Sequence, residues 1–209
     1  NDLNASRTQN LYFSPPIGLE MHRTVWGYNL PGALGNTIFA STMLVNKSGA
    51  NLDSAFLVMW SDPDLGESGD DYAGCDVDRS LGFIYNGKNV DNTYGSAVPA
   101  AGYDFFQGPI VATGNPTDRA VFQLKYRFGY KNLGMSTFVF FTQGNTLYAD
   151  PAQGSGGDVQ WYRLMNGLVA STGQAFIDPT TGLPTKFTLN GDPAGGGGWA
   201  DAMARLTPP

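Results

Sequence analysis

One cysteine and one histidine are all that this 209-residue chain offers of the side chains most used for disulfide, zinc and nucleophile–base chemistry. A lone Cys75 excludes an internal disulfide and any cysteine-rich zinc site. It follows Gly74 among carboxylates, which raise a thiol pKa, so it reads as a small buried side chain rather than a nucleophile. A lone His22 would need a positioned nucleophile and an orienting partner to act as a base. No Gly-x-Ser-x-Gly elbow, His-Glu-x-x-His motif or phosphate-cradling glycine loop accompanies it. Charge is equally scarce: 14% of residues are charged, 12 of them Lys or Arg, and the net charge is −6. Scattered bases on an acidic chain argue against nucleic acid, whose phosphates need clustered Lys and Arg. Glutamate occurs only at Glu20 and Glu67, so the paired carboxylates of a glycosidase come down to a pair such as Glu20 and Asp104. A glycoside hydrolase is therefore the least favoured reading, and the chain is expected not to be an enzyme. No apolar run approaches the ~20 residues needed to span a bilayer. Residues 1–14 show no secretory leader, which fits a mature chain or a piece of a longer one.

What is present points to β structure. The chain holds 28 glycines, 13% aromatics and 42% apolar residues, a turn-rich composition with enough apolar mass for a core without disulfides. The expected fold is mostly β: an antiparallel β-sandwich, jelly-roll-like, with long loops and one short amphipathic helix. Residues 18–28 alternate Glu20, His22, Thr24, Trp26 and Tyr28 with Leu19, Met21 and Val25. Residues 37–46 are rich in β-branched and aromatic side chains, and Asn46-Lys47-Ser48-Gly49 reads as a turn. Residues 52–60 are nearly all apolar, predicting a central strand buried on both faces and paired with 37–46. Further strands are expected at 80–85, 103–107, 119–128, 136–142 and 186–189, with a long polar loop at 86–102. In 158–169, Trp161, Leu164, Met165 and Leu168 stand at helical spacing, with Asp158 as N-cap. The organisation read from this is an arm or linker over 1–16, one domain over 17–200 and a linker over 201–209.

The chemistry is concentrated in one loop. Asp62, Asp64, Glu67, Asp70, Asp71, Asp76 and Asp78 are seven of the chain's 18 acidic residues, and Arg79 is the one base close by in sequence. Such a loop repels itself unless a cation neutralises it. Calcium takes six to eight oxygens from carboxylates, carbonyls and water with tolerant geometry. Asp62, Asp64, Asp70, Asp71 and Asp76 are the expected ligands. The order of residues is not that of an EF-hand. A solvated loop of turn and capping aspartates is the alternative. Calcium at millimolar levels is available outside cells, which suits an extracellular module.

Several runs stand in one order: Trp60-Ser61-Asp62-Pro63-Asp64-Leu65-Gly66, Asp70-Asp71-Tyr72-Ala73-Gly74-Cys75-Asp76, Leu81-Gly82-Phe83-Ile84-Tyr85-Asn86-Gly87 and Gly102-Tyr103-Asp104-Phe105-Phe106-Gln107-Gly108-Pro109. Together with Pro15-Pro16-Ile17-Gly18-Leu19-Glu20, Phe176-Ile177-Asp178-Pro179-Thr180-Thr181-Gly182 and Gly191-Asp192-Pro193, they cover most of residues 15–199. This set resembles an uncharacterised β-rich domain of large secreted or surface proteins of Bacteroidota and related bacteria, many of which end in a type IX secretion sorting domain. The resemblance implies export and a cell-surface or matrix location, and no particular reaction. The sorting domain itself is not in this sequence. Asp53-Ser54-Ala55 resembles the short O-glycosylation motif of those bacteria.

Two functions follow as expectations. The first is a structural protomer of a surface layer, fibre or sheath, joined by self-assembly or to neighbouring domains. The apolar Leu11-Tyr12-Phe13 segment of the arm would add to an open strand edge. The second is a carbohydrate-binding module, with a stacking platform drawn from Trp26, Tyr28, Tyr85, Tyr94, Tyr103, Phe105, Phe106 and Trp199. Most of these aromatics would serve equally as core.

Overall fold

A computed structural model of the chain describes residues 17–142 and 144–201. The expected arm at 1–16, with its strand-adding segment, and the linker beyond Asp201 lie outside the described residues. The chain divides into two compact units, residues 1–57 and 58–209. The expected body over 17–200 spans both.

The first unit is a hairpin. Strand β1, Leu19–Gly27, pairs antiparallel with β2, Ile38–Asn46, from Leu19 opposite Asn46 to Gly27 opposite Ile38. Opposed residues share a face, so Met21, Val25, Leu44 and Ile38 line one side while Trp26 and Phe39 stack on the other, 5.5 Å apart. After β2, Asn46 Oδ1 accepts the Ser48 N–H at 2.9 Å and Gly49 takes a φ of +75°. This is the expected turn.

The predicted central strand at 52–60 does not form. Leu57, Val58 and Trp60 are more than half exposed, and Ser54 sits in a turn with a left-handed φ of 55°. An apolar run becomes a buried strand only where partners flank it, and here a turn residue interrupts the run close to its start. Strand β2 pairs with β1 instead.

The second unit holds the remaining strands. Strands β3 (Asp71–Asp76), β4 (Leu81–Asn86) and β5 (Ala100–Asp104) form an antiparallel three-stranded meander. Strand β6, Ile110–Ala112, pairs with β9, Tyr130–Asn132. Between them β7, Arg119–Phe122, pairs with β8, Lys125–Phe128. Residues 119–128 are thus two strands where the alternation predicts one. The two-residue loop Gln123-Leu124 has φ values of 50° and 61°, the mirror-image turn that matches strand twist. Leu124 is 93% exposed and gains nothing from burial. Leu124→Gly is therefore expected to raise stability by about 0.5 kcal/mol, because the relieved left-handed strain exceeds the added chain entropy. Leu124→Val, β-branched, should lower it, and melting curves of the two variants should bracket the wild type.

Helix α1, Gly157–Met165, carries the expected apolar face, with Leu164 buried and Trp161 packed against the core. Its N-cap is Gly156 at φ 91°, with Asp158 in the first turn rather than at the cap. The helix ends four residues earlier than the pattern predicts, because Gly167 turns at φ +74° and Arg163 donates to the carbonyls of Ala170 and Ser171. Short strands β10 (Phe176–Ile177) and β11 (Pro184–Thr185) pair beyond it. Expected strands 136–142 and 186–189 meet only at a parallel bridge, Phe138 to Phe187.

The chain is thus β-rich, with antiparallel sheets and one α-helix among the described residues. The described strands form five sheets, one of three strands and four of two. The core comprises Phe140, Tyr148, Leu164, Val169, Ala170, Phe176, Leu189 and Trp199, drawn largely from the helix and irregular segments. No helix among the described residues is long and apolar enough to cross a membrane.

Candidate cation site in the acidic loop

The acidic loop runs through a single 3-10 turn, Ser68–Asp70, into β3. The turn draws Asp70 to 2% exposure and the strand draws Asp71 to 4%. Asp71 stands opposite Asn86, the last residue of β4. Asp70 Oδ2 accepts from Asn86 Nδ2 at 2.8 Å and lies 3.6 Å from Lys88 Nζ. Asp71 Oδ2 accepts the Leu65 N–H at 2.8 Å. That accounts for one oxygen of each carboxylate. The other oxygens, Asp70 Oδ1 and Asp71 Oδ1, are buried without a hydrogen-bond partner among the described residues, and so is Asn86 Oδ1. A buried acceptor left unpaired costs about 1–3 kcal/mol, more when charged. Burial raises the Asp71 pKa above the usual carboxylate value. The charges of Asp70, Asp64 and Asp91 add to the rise, against the Leu65 hydrogen bond.

Asp91 anchors the loop from the far side. Its carboxylate accepts the N–H groups of Glu67 (2.8 Å), Thr93 (2.7 Å) and Tyr94 (2.6 Å). The Glu67 hydrogen bond, followed by those of Tyr94 and Thr93, holds its pKa below the usual range. Gly66 passes so close that a Cβ there would lie 2.4 Å from Asp91 Oδ1, at a φ of +93° that itself favours glycine. Sequence reasoning missed Asp91 and Asn86. Their local marks in the sequence are two turn dipeptides, Asn86-Gly87 and Asp91-Asn92.

The five expected ligands do not come together. Asp70 and Asp71 do, and Asp64 stands within electrostatic reach of Asp71. Asp62 is exposed. Asp76 closes the opposite end of β3, about 17 Å away at ~3.3 Å per residue. There its carboxylate binds the Arg79 guanidinium and accepts the Arg79 N–H at 3.0 Å. It is a turn residue with its own counter-charge, as Arg79 close by in sequence allows. No group of three or more His, Cys, Asp or Glu side chains able to hold a metal occurs among the described residues. A cation here would take carboxylate oxygens from Asp70 and Asp71, the Asn86 amide oxygen, and water or backbone carbonyls. That set suits a hard ion of tolerant geometry such as calcium.

Cys75 is 1% exposed, its Sγ lies 3.4 Å from the Thr188 carbonyl, and burial, with Asp76, pushes the thiol up to about 12. His22 Nε2 sits 2.5 Å from Glu20 Oε1, on the hairpin. Glu20 and Asp104 belong to different units. Of the aromatics, Trp199 is core, Phe106 is 70% exposed, and Trp26 and Tyr28 pack on Phe39. Comparison with protein-family models, curated proteins and solved structures gives no match.

Proposed function

We propose that the chain is an extracellular structural domain, a protomer of a surface layer, fibre or sheath, whose acidic loop is braced by calcium. The observation that carries this reading is the set of unpartnered buried oxygens on Asp70, Asp71 and Asn86. Of these two adjacent buried carboxylates, Asp70 faces a lysine, Lys88, whose side chain is 61% exposed and so offers weak compensation. A divalent cation supplies the missing charge and coordinates oxygens that hydrogen bonds leave unused. Extracellular calcium is abundant enough for a weak site of this kind. The likeness of the loop and its flanking runs to bacterial surface domains supports the same location. The apolar side of the β1–β2 hairpin, with Met21 60%, Val25 56% and Ile38 75% exposed, supports association with a neighbour rather than catalysis.

The test is a thermal melt in millimolar calcium and in chelator. Calcium at one hundred times its Kd stabilises the folded state by about 2.7 kcal/mol. For a chain of this size that raises the midpoint by about 5–10 °C. Equal midpoints in the two buffers would remove the brace.

A further inference from the structure

Beside the acidic loop, at the Asn86 end of β4, a cleft of about 220 Å³ is lined by Tyr72, Tyr85, Asn86, Gly87, Asp192 and Gly196, among others. We propose that this cleft binds one uncharged sugar ring, presented as a residue of a glycan. The proposal goes beyond the calcium brace and does not depend on it.

The walls are aromatic. Tyr72 and Tyr85 are cross-strand partners on β3 and β4, so their rings share one face of the meander. The ring centroids are 5.8 Å apart and the planes meet at 78°, which presents a face and an edge. Tyr72 packs over Gly87, where a Cβ would lie 2.5 Å from the ring. Any larger residue there would displace Tyr72 from the cleft wall. Both tyrosines are partly buried, so their rings keep surface for a ligand.

The charged group exposed at the cleft is a carboxylate, that of Asp192. Asn86 borders the cleft without opening its amide to it: next to Tyr85 on β4, its side chain takes the opposite face, where Nδ2 donates to Asp70 and Oδ1 is buried. Asp192 contributes an exposed carboxylate, of which Oδ1 accepts the Ala194 N–H at 2.8 Å. The loop that carries it closes on itself: the Asp192 N–H donates to the Gly197 carbonyl at 2.7 Å and the Gly196 N–H to the Asp192 carbonyl at 2.8 Å. A site with aromatic faces and one exposed carboxylate beside them calls for a ligand with an apolar face and hydroxyl donors. A pyranose has both. The Asp192 carboxylate and the neighbouring buried Asp201 disfavour uronic acids, sialic acids and phosphates. The volume is below the roughly 300–1,000 Å³ of drug-sized pockets, which fits one ring rather than an enclosed oligosaccharide.

Saturation-transfer NMR on the full chain tests this, with the methyl glycosides of glucose, galactose, mannose and N-acetylglucosamine as probes and tetramethylammonium as a control. At least one glycoside should receive transfer at its ring protons. Its affinity should fall about tenfold in Tyr85→Ala, where a stacking wall is lost. Gly196→Asn provides a second variant. Gly196 has a φ of +74°, which asparagine tolerates, and a Cβ there meets nothing within 4 Å. Asparagine adds bulk at a residue that lines the cleft, in a left-handed backbone that it adopts more readily than most side chains, so this variant decides the matter if Tyr85→Ala fails to fold. No transfer to any glycoside, or transfer unchanged in Gly196→Asn, would overturn the proposal. Transfer to tetramethylammonium alone would also overturn it, by making the tyrosine pair a cation cage. Melting with calcium is read without sugar, so failure of either proposal is recognised separately.

Discussion

Asp91→Ala is expected to lower the melting midpoint by about 5–10 °C, a large effect for one side chain. The carboxylate ends at three backbone N–H groups, those of Glu67, Thr93 and Tyr94. Alanine leaves all three donors without their acceptor in a site where Asp91 itself is 1% exposed. Hydrogen bonds to charged groups contribute more than neutral ones, and orphaned donors carry the full desolvation cost. Asp91→Asn keeps one acceptor oxygen and should lose less. The pH dependence has a definite sign. Asp91 has a lowered pKa in the folded state, so its stabilisation is present above the ordinary carboxylate value and is lost as pH falls through the folded one. The alanine variant should therefore lose less stability than the wild type on acidification. A variant that melts with the wild type would show that the loop is held by other contacts.

Local pattern made part of the molecule legible. Strands β1, β2 and β4 follow from alternation and β-branched runs, and the buried face of α1 from its spacing. The 119–128 hairpin was hidden because its turn, Gln123-Leu124, lacks the Asn-Gly or Asp-Gly signal that normally marks one. Alternation continues through a two-residue loop, so a doubled strand reads as a single long one. The 52–60 run misled for the opposite reason. Its apolar content is strand-like, but strand formation depends on partners that a run cannot specify by itself.

The site was half legible. Charge density picked out Asp70 and Asp71, and they are the buried pair. It could not separate them from Asp76, which looks alike in sequence but has Arg79 three residues on. Asn86 and Asp91 reach the loop through pairing of β3 with β4 and through the turn after β4. Those are tertiary relations that the loop's own sequence does not carry.

Asp71 sets the second large effect, because the brace and its absence pull this residue in opposite directions. Without calcium, the folded chain holds the Asp71 proton more tightly than the unfolded chain does. Stability from this group is therefore fully present below the ordinary carboxylate pKa. It is lost as pH rises from there through the raised folded value. At neutral pH the wild type carries that cost. Asparagine removes the charge and keeps an oxygen for the Leu65 N–H, so Asp71→Asn should be more stable in chelator by about 1 kcal/mol. In strong acid the two proteins should converge. Calcium reverses the order, since it favours the ionised carboxylate that only the wild type has.

The most direct test is thus one set of melting curves, wild type against Asp71→Asn, at neutral pH, in chelator and in saturating calcium. The brace predicts a crossing: the variant melts higher in chelator, and the wild type rises by about 5–10 °C in calcium to overtake a variant that hardly moves. Midpoints that keep the same order and spacing in both buffers would contradict it.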